Sequence, residues 1–306
     1  MSSTRYKTVR QNTPRVRDLS AEKSLSPRAS AAEPLFAFRR TVLSYYHKNG
    51  RHTLPWRQPT LKLRHGTQNF DPYNILVSEM MLQQTQVDRV IPKYKSFLKK
   101  FPTVHVLAKA SLGEVLKEWQ GLGYNRRAKF LHEAAKEIVA TGWPRSREGL
   151  LELPGIGAYT ASAVLAFAWN KPEILIETNI RSVFIYHFFP RSKKVSDTQI
   201  IRLIVQSLDT KNPREWYWAL MDYGTHLKKT LGNASRRSAH HVHQKPFKGS
   251  DREVRGAILR LLARAPATRK ALEKLPFSKE RIQKQFAALK KEGMVVIKKR
   301  KISLPN

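Results

Sequence analysis

The stretch Leu153-Pro154-Gly155-Ile156-Gly157-Ala158-Tyr159-Thr160 constrains the fold more tightly than any other part of this chain. Helical apolar patterns flank it on both sides, over 147–153 and from Tyr159 to Trp169. Two glycines one residue apart let the backbone turn tightly with positive φ. Their amide N–H groups, at the mouth of the helix that starts near Tyr159, form a small anion site that a duplex phosphate fits unobstructed. A bare Gly-x-Gly also marks an ordinary turn between helices, so its surroundings must decide its meaning.

Those surroundings are strongly basic. Across 306 residues, 57 Lys+Arg against 23 Asp+Glu leave a formal charge of +34. Such an excess repels itself unless a polyanion is near, and each phosphate contact releases a condensed counterion. Nucleic acid is the expected partner class, although a ribosome-associated or membrane-surface protein would account for the charge alone. With 41% hydrophobic residues the chain can bury a core. It has no cysteine, which excludes disulfides, thiolate catalysis and any cysteine-ligated zinc or iron–sulfur centre. No apolar run approaches the roughly 18 residues a membrane span needs, and the N-terminus lacks a secretory apolar core. The expected setting is the DNA-containing compartment, cytoplasm or nucleoid.

Along the chain, residues 1–33 read as a flexible basic arm, rich in Ser, Arg, Lys and Pro. Helical patterns dominate 34–225, with a first helix ending at Asn49-Gly50 and a second over 72–101 that breaks or kinks at Pro92. Further helices are expected over 111–119, 126–141, 147–153, 159–169, 178–189, 197–208 and 216–223. No long alternating strand pattern appears there, so that part is all-α. Residues 226–250 read as a basic linker or loop. Residues 251–306 give three helices followed by a strand with a basic turn, a winged-helix-like pattern in which 278–289 would face a groove.

Two carboxylates stand out. Glu79 lies among large apolar residues, where burial would raise its pKa and suit it to donate a proton, although a solvent-facing helix position is the commoner fate of a Glu. Glu177 ends the apolar run Ile174-Leu175-Ile176 where a helix begins, so it is equally readable as an N-terminal helix charge.

Five blocks in order, Leu54-Pro55-Trp56-Arg57, Ser78 to Val87, Trp119 to Tyr124, the hairpin, and Ala219-Leu220-Met221-Asp222-Tyr223-Gly224, resemble the helix-hairpin-helix base-excision glycosylases. The closest resemblance is to adenine DNA glycosylases of the MutY type. It implies two helical subdomains flanking an active-site cleft. It implies that Glu79 is the general acid that protonates the departing base and that Glu177 stands at the second catalytic carboxylate, an Asp in the family. Tyr159 stands where bifunctional lyases carry a Schiff-base lysine, implying base removal without strand cleavage. Asn179 matches a residue near the sugar and the attacking water. Gln84 and Tyr124 match the wedge that fills the stack, with Gly155, Gly157 and Thr160 on the phosphate, and Trp56, Arg57 and Asp222 resemble base-pocket residues.

The chain departs from the family in two places. The four cysteines of the family's iron–sulfur cluster have no counterparts after Gly224; a basic stretch over 225–237 and then His240, His241 and His243 follow instead, with no fourth zinc ligand evident. No metal or other cofactor is therefore expected. The tail is too short for the Nudix-like domain that reads 8-oxoguanine. The expected partner is mispaired double-stranded DNA, bound by a monomer. The expected activity is removal of adenine opposite 8-oxoguanine or guanine. Removal of thymine or uracil opposite guanine, or DNA binding without catalysis on the same scaffold, are the alternatives.

Overall fold

The computed structural model describes residues 29–62, 68–242 and 246–306; most of the expected basic arm, and His243, lie outside them. The elements in chain order begin with α1 (Ala29–Asn49), a 3₁₀ turn at Pro55–Arg57, β1 (Leu61–Lys62), β2 (Gln68–Asn69), α2 (Pro72–Leu82) and α3 (Val87–Lys100). Then come α4 (Val104–Lys109), α5 (Leu112–Glu118), α6 (Arg126–Thr141), α7 (Arg147–Glu152), α8 (Ala158–Trp169), α9 (Thr178–Phe188), α10 (Asp197–Ser207) and α11 (Pro213–Thr230). A second 3₁₀ turn at Ala234–Arg237 precedes α12 (Asp251–Arg264), α13 (Arg269–Glu273), α14 (Lys279–Lys291), β3 (Val296–Lys298) and β4 (Lys301–Ser303). β1 and β2 pair antiparallel, Leu61 opposite Asn69, and β3 and β4 do the same, Ile297 opposite Ile302.

The helices form two compact units. The first holds the described residues up to Leu76, with Arg145–Leu151 and Ile156–Val242. Within it α9 packs on α11 and on the turn at Ala234–Arg237, and α11 packs on α1. Aromatic rings fill the seam: Phe38 of α1 lies 5.3 Å from Phe184 and 5.9 Å edge-on from Trp216. Where α9 and α11 come closest, Gly224 faces the backbone of Asn179. A Cβ at Gly224 would stand 2.4 Å from the Asn179 carbonyl oxygen, so no larger residue fits without moving one helix.

The second unit holds Val77–Pro144, Glu152–Gly155 and the described residues from 246 onward. Here α4 and α5 pack on α6, α12 packs on α14, and α12 also packs on α5. The last 55 or so residues were expected to form a small domain of their own. Their three helices and hairpin are present and share this unit, with polar groups among the contacts that join them to α5 and α6. Arg126 of α6 and Arg255 of α12 reach the Glu292 carboxylate at 2.7 and 2.5 Å, and the Lys129 ammonium donates to the Glu292 carbonyl at 2.6 Å. Gly113 donates its N–H to the Pro305 carbonyl at 2.9 Å.

Several boundaries differ from the sequence reading. The first helix begins at Ala29, inside the expected arm, and carries Pro34 within it. The expected helix over 72–101 does break, but at residues 83–86, while Pro92 sits inside α3. The break follows from Gln84, whose φ of 54° is left-handed, and from the carbonyls of Met80, Met81 and Gln83, which bond Arg127 instead of a continuing helix. α11 runs on to Thr230, so the expected linker from 226 starts as helix. The six-residue α4 had no counterpart in the sequence reading.

Two glycine substitutions should separate packing from propensity. Gly224→Ala should lower unfolding free energy by about 1–3 kcal/mol through overpacking against Asn179. Gly256→Ala, in α12 with nothing within 4 Å of an added Cβ, should raise it by about 0.5–1 kcal/mol. Urea melts of both variants check the pair.

Candidate active site

The first unit builds its carboxylate site from a short extended run. The Tyr217 hydroxyl donates to the Glu173 carbonyl at 2.6 Å and accepts the Leu175 N–H at 3.2 Å, pinning the segment that delivers Glu177. Glu177 is the N-cap of α9. Its Oε1 accepts from the backbone N–H of Asn179 at 2.8 Å and of Ile180 at 2.9 Å, and the Asn179 side-chain amide donates to Oε2 at 3.3 Å. Burial pushes the Glu177 carboxyl above its ordinary pKa; the two amides and the charges of Lys228 and Arg181 act against that rise. Glu177 does therefore cap a helix, as one reading of the sequence held. The same bonds fix the direction of its carboxylate and bring Asn179 against it.

Lys228 completes this group and was missed in the sequence. Its ammonium donates to Asn179 Oδ1 at 3.3 Å. The signal was present: Gly224 and Lys228 are four apart, so on one helix they share a face. Reading residues beyond 225 as a loop hid it.

Asp222 and Arg57 also come together. Arg57 donates through both terminal nitrogens to the Asp222 oxygens, at 2.7 and 3.0 Å, and both residues are buried. Arg51, not singled out in the sequence, adds its backbone N–H and its Nε, each at 2.7 Å. Burial alone would raise the Asp222 pKa. The hydrogen bonds and charge of Arg57, with the charge of Arg51, outweigh it and hold the carboxyl below its ordinary value. The carboxylate is thus committed to two arginines and joins α11 to the turn carrying Trp56, itself buried.

In the hairpin only Gly155 has positive φ, at 74°, and a Cβ there would meet Phe130 Cβ at 2.4 Å. Gly157 was expected to share that conformation. It is instead the extended N-cap of α8, with φ −93° and ψ 175°, because a helix entry needs β-region backbone. Nothing lies within 4 Å of a Cβ built on Gly157, so its value is open space beside the first-turn amides of α8. Tyr159 is half-buried in that first turn and Thr160 beside it is buried.

The second unit carries Glu79, Gln84 and Tyr124. Glu79 is buried on α2, its neighbours Ser78 and Met80 equally so. Gln84 is exposed and Tyr124 half-buried, and both adopt left-handed backbone, with φ of 54° and 45°. Arg127 holds both loops. One guanidinium nitrogen donates to the carbonyls of Met80 and Gln83 at 2.6 Å, the other to Leu122 at 3.0 Å and Gly123 at 3.2 Å. Sequence reasoning saw Arg127 only as one cation in a basic chain.

Of the histidines, His226 stacks on Tyr45 at 4.7 Å and His240 lies 4.0 Å from Asp197. Among the described residues no group of three His, Cys, Asp or Glu is placed to hold a metal ion, and no helix is long and apolar enough to cross a membrane.

Residues 77–276 match the family model described as HhH-GPD superfamily base excision DNA repair protein. An adenine DNA glycosylase of Mycolicibacterium smegmatis is 35% identical over 257 residues, 76% of this chain and 83% of that protein. One from Buchnera aphidicola is 34% identical over 194 residues, 61% of this chain, and the chain spans only about half (52%) of its length. Among solved structures, a thermostable thymine-DNA glycosylase superposes with a TM-score of 0.52 at 25% identity, covering 63% of this chain and 86% of that one. With the hairpin, the anchored carboxylate and a match over most of its length, the chain belongs to the helix-hairpin-helix superfamily of base-excision DNA repair proteins.

Proposed function

We propose that the protein is a monofunctional DNA glycosylase that hydrolyses the N-glycosidic bond of adenine mispaired with 8-oxoguanine or guanine. The observation that carries this reading is the Glu177–Asn179–Lys228 group, a directed carboxylate with a cation one amide away. Cleaving an N-glycosidic bond leaves positive charge on the sugar and negative charge on the departing base. Glu79 supplies a proton to a ring nitrogen of adenine as the C1′–N bond breaks and its electron pair goes to the base. Glu177, ionised, faces the oxocarbenium-like sugar. A water, positioned beside Asn179, adds to C1′ and gives up its proton to the Glu79 carboxylate, which restores the acid and leaves an abasic site. Tyr159 offers no amine, so no Schiff base forms and the strand stays intact.

The choice of adenine draws support from the named activity of the mycobacterial relative, which aligns over three quarters of the chain. The likeness to a thymine-DNA glycosylase keeps thymine opposite guanine as the second reading. The partner is duplex DNA, approached by a monomer carrying a charge of +34, in the compartment that holds the genome. With no cysteine in the sequence, the reaction runs on side chains and water without an iron–sulfur cluster.

Single-turnover base release tests the assignment. The wild type should release adenine from an A·8-oxoguanine duplex and leave a site cleaved only after alkali. Glu79→Gln and Glu177→Ala should each slow release by about 100-fold or more; release of thymine but not adenine would select the second reading. Lys228→Met tests the electrostatics of Glu177. The lysine charge lowers the carboxyl pKa, so its loss should move the acid limb of the rate profile to higher pH, and Lys228→Arg should restore it. DNA affinity should fall steeply and linearly in log–log form with salt; a flat titration up to about 0.2 M would contradict phosphate-driven binding.

A further inference from the structure

The C-terminal hairpin carries four consecutive cations in an arrangement that local stability does not account for. β3 and β4 pair with Lys298 opposite Lys301, so Lys299 and Arg300 form a two-residue turn between them. All four side chains are exposed. None of them forms an ion pair with a described carboxylate, although Arg126, Arg255 and Arg281 of the same unit each do. The proposed chemistry gives this hairpin no task.

Three features of the tip run against local stability. Lys298 and Lys301 are like charges directly opposed across the strands, a destabilising pair. Lys299 and Arg300 both have left-handed backbone, with φ of 46° and 64°. That is the conformation of a type I′ turn, for which Asn-Gly is the favoured pair and a long side chain is strained. Four neighbouring cations also repel one another unless an anion lies among them. Departures of this kind from local rules concentrate where a ligand is met. The hairpin is nevertheless held on a fixed base. Before β3, Glu292 is bonded by Arg126 and Arg255; after β4, the Pro305 carbonyl accepts from Gly113. Within β4, Ile302 exchanges hydrogen bonds with Ala267 at 2.7 and 2.8 Å.

An anchored tip of four uncompensated cations fits a row of phosphates, and the backbone of duplex DNA is such a row. We propose that the β3–β4 turn is a phosphate-binding finger that grips the DNA backbone without reading its sequence or its lesion. α14, the helix expected from the sequence to face a groove, fits that task less well. It exposes Glu280 beside Lys279 and Lys284, whereas the tip is cationic throughout. The finger gives the protein a hold on undamaged DNA, separate from the groups that act on the excised base. This rests on the reading of the protein as a DNA glycosylase.

Salt titrations of the full chain binding a fluorescent, fully matched duplex test it. Lys299→Asn/Arg300→Gly installs the favoured turn pair and removes two charges. It should raise the melting temperature, yet weaken duplex binding about fivefold or more and flatten the log–log salt slope by about 1–2. Lys299→Arg/Arg300→Lys should keep the wild-type affinity. Lys298→Gln/Lys301→Gln, which leaves the turn untouched, should lose affinity to a similar extent, and it tests the charges should the first variant unfold. Each loss should be equal, within about twofold, on the matched duplex and on one carrying an A·8-oxoguanine pair. Unchanged affinity and slope in a folded variant would overturn the proposal, and a loss confined to the mispaired duplex would overturn it by making the hairpin a lesion reader. Binding to phosphatidylglycerol vesicles that the variants lose, with duplex affinity intact, would reassign the hairpin to a membrane surface. Base release by the wild type from the A·8-oxoguanine duplex separates the two readings. Release alongside unchanged variant affinity leaves the glycosylase standing and removes the finger; hairpin-dependent duplex binding without release of any base does the reverse.

Discussion

A buried guanidinium bonded mainly to backbone carbonyls organises the loops that follow α2 and precede α6 in the second unit. Arg127 is 7% exposed, and its hydrogen-bond partners are carbonyl oxygens and one threonine hydroxyl. Burial pulls its pKa down to about 10, so it remains charged at neutral pH. A charge in that setting is tolerable only because the bonds are many and charge-assisted. They have a structural consequence at each end. The carbonyls left over where α2 stops are satisfied, which lets the chain turn through left-handed Gln84. The carbonyls of Leu122 and Gly123 are drawn to the same group, which fixes the approach to left-handed Tyr124. Gln84 and Tyr124 thus owe their positions to one buried side chain.

The same logic extends to the acidic residues. In a chain with 57 basic residues and 23 acidic ones, several carboxylates act as clamps between cations. Asp222 holds Arg57 and Arg51, Glu292 holds Arg126 and Arg255, and Asp197 holds Arg181 at 2.8 and 2.7 Å. Glu292 shows the energetic balance: burial would raise its carboxyl pKa, and the two arginines hold it below the ordinary value. Glu177 differs in kind. Its oxygens meet amides, its cation stands behind Asn179, and its pKa is raised. A clamp carboxylate is held by the cations it binds; Glu177 is oriented by amide donors, with Lys228 reaching it through Asn179.

What was legible in the sequence follows from range. Helix faces repeat locally, so α6 was read with its observed bounds and the N-caps of α5, α10 and α14 lie at Ser111, Ser196 and Ser278, where helices were expected to begin. Glu177 and Asn179, two residues apart, were read together and are found together. Missing from the reading were features settled by polar contacts across long separations. The break after Leu82 is bonded by an arginine 44 residues beyond Gln83, and Glu292 of the C-terminal segment meets Arg126 across 166 residues. No periodicity reports such contacts.

Gly224 shows how a short block can encode a site. Its missing side chain lets the backbone of Asn179 lie directly against α11. Two residues before it, Asp222 locks the same helix to Arg57; one turn after it, Lys228 reaches the Asn179 amide. One helical segment therefore sets the depth of α9, the anchoring of α11 and the charge beside Glu177. A change at any of the three positions acts on the carboxylate through the helix they share. That coupling is a physical reason for Asp222, Gly224 and Lys228 to stand at this spacing.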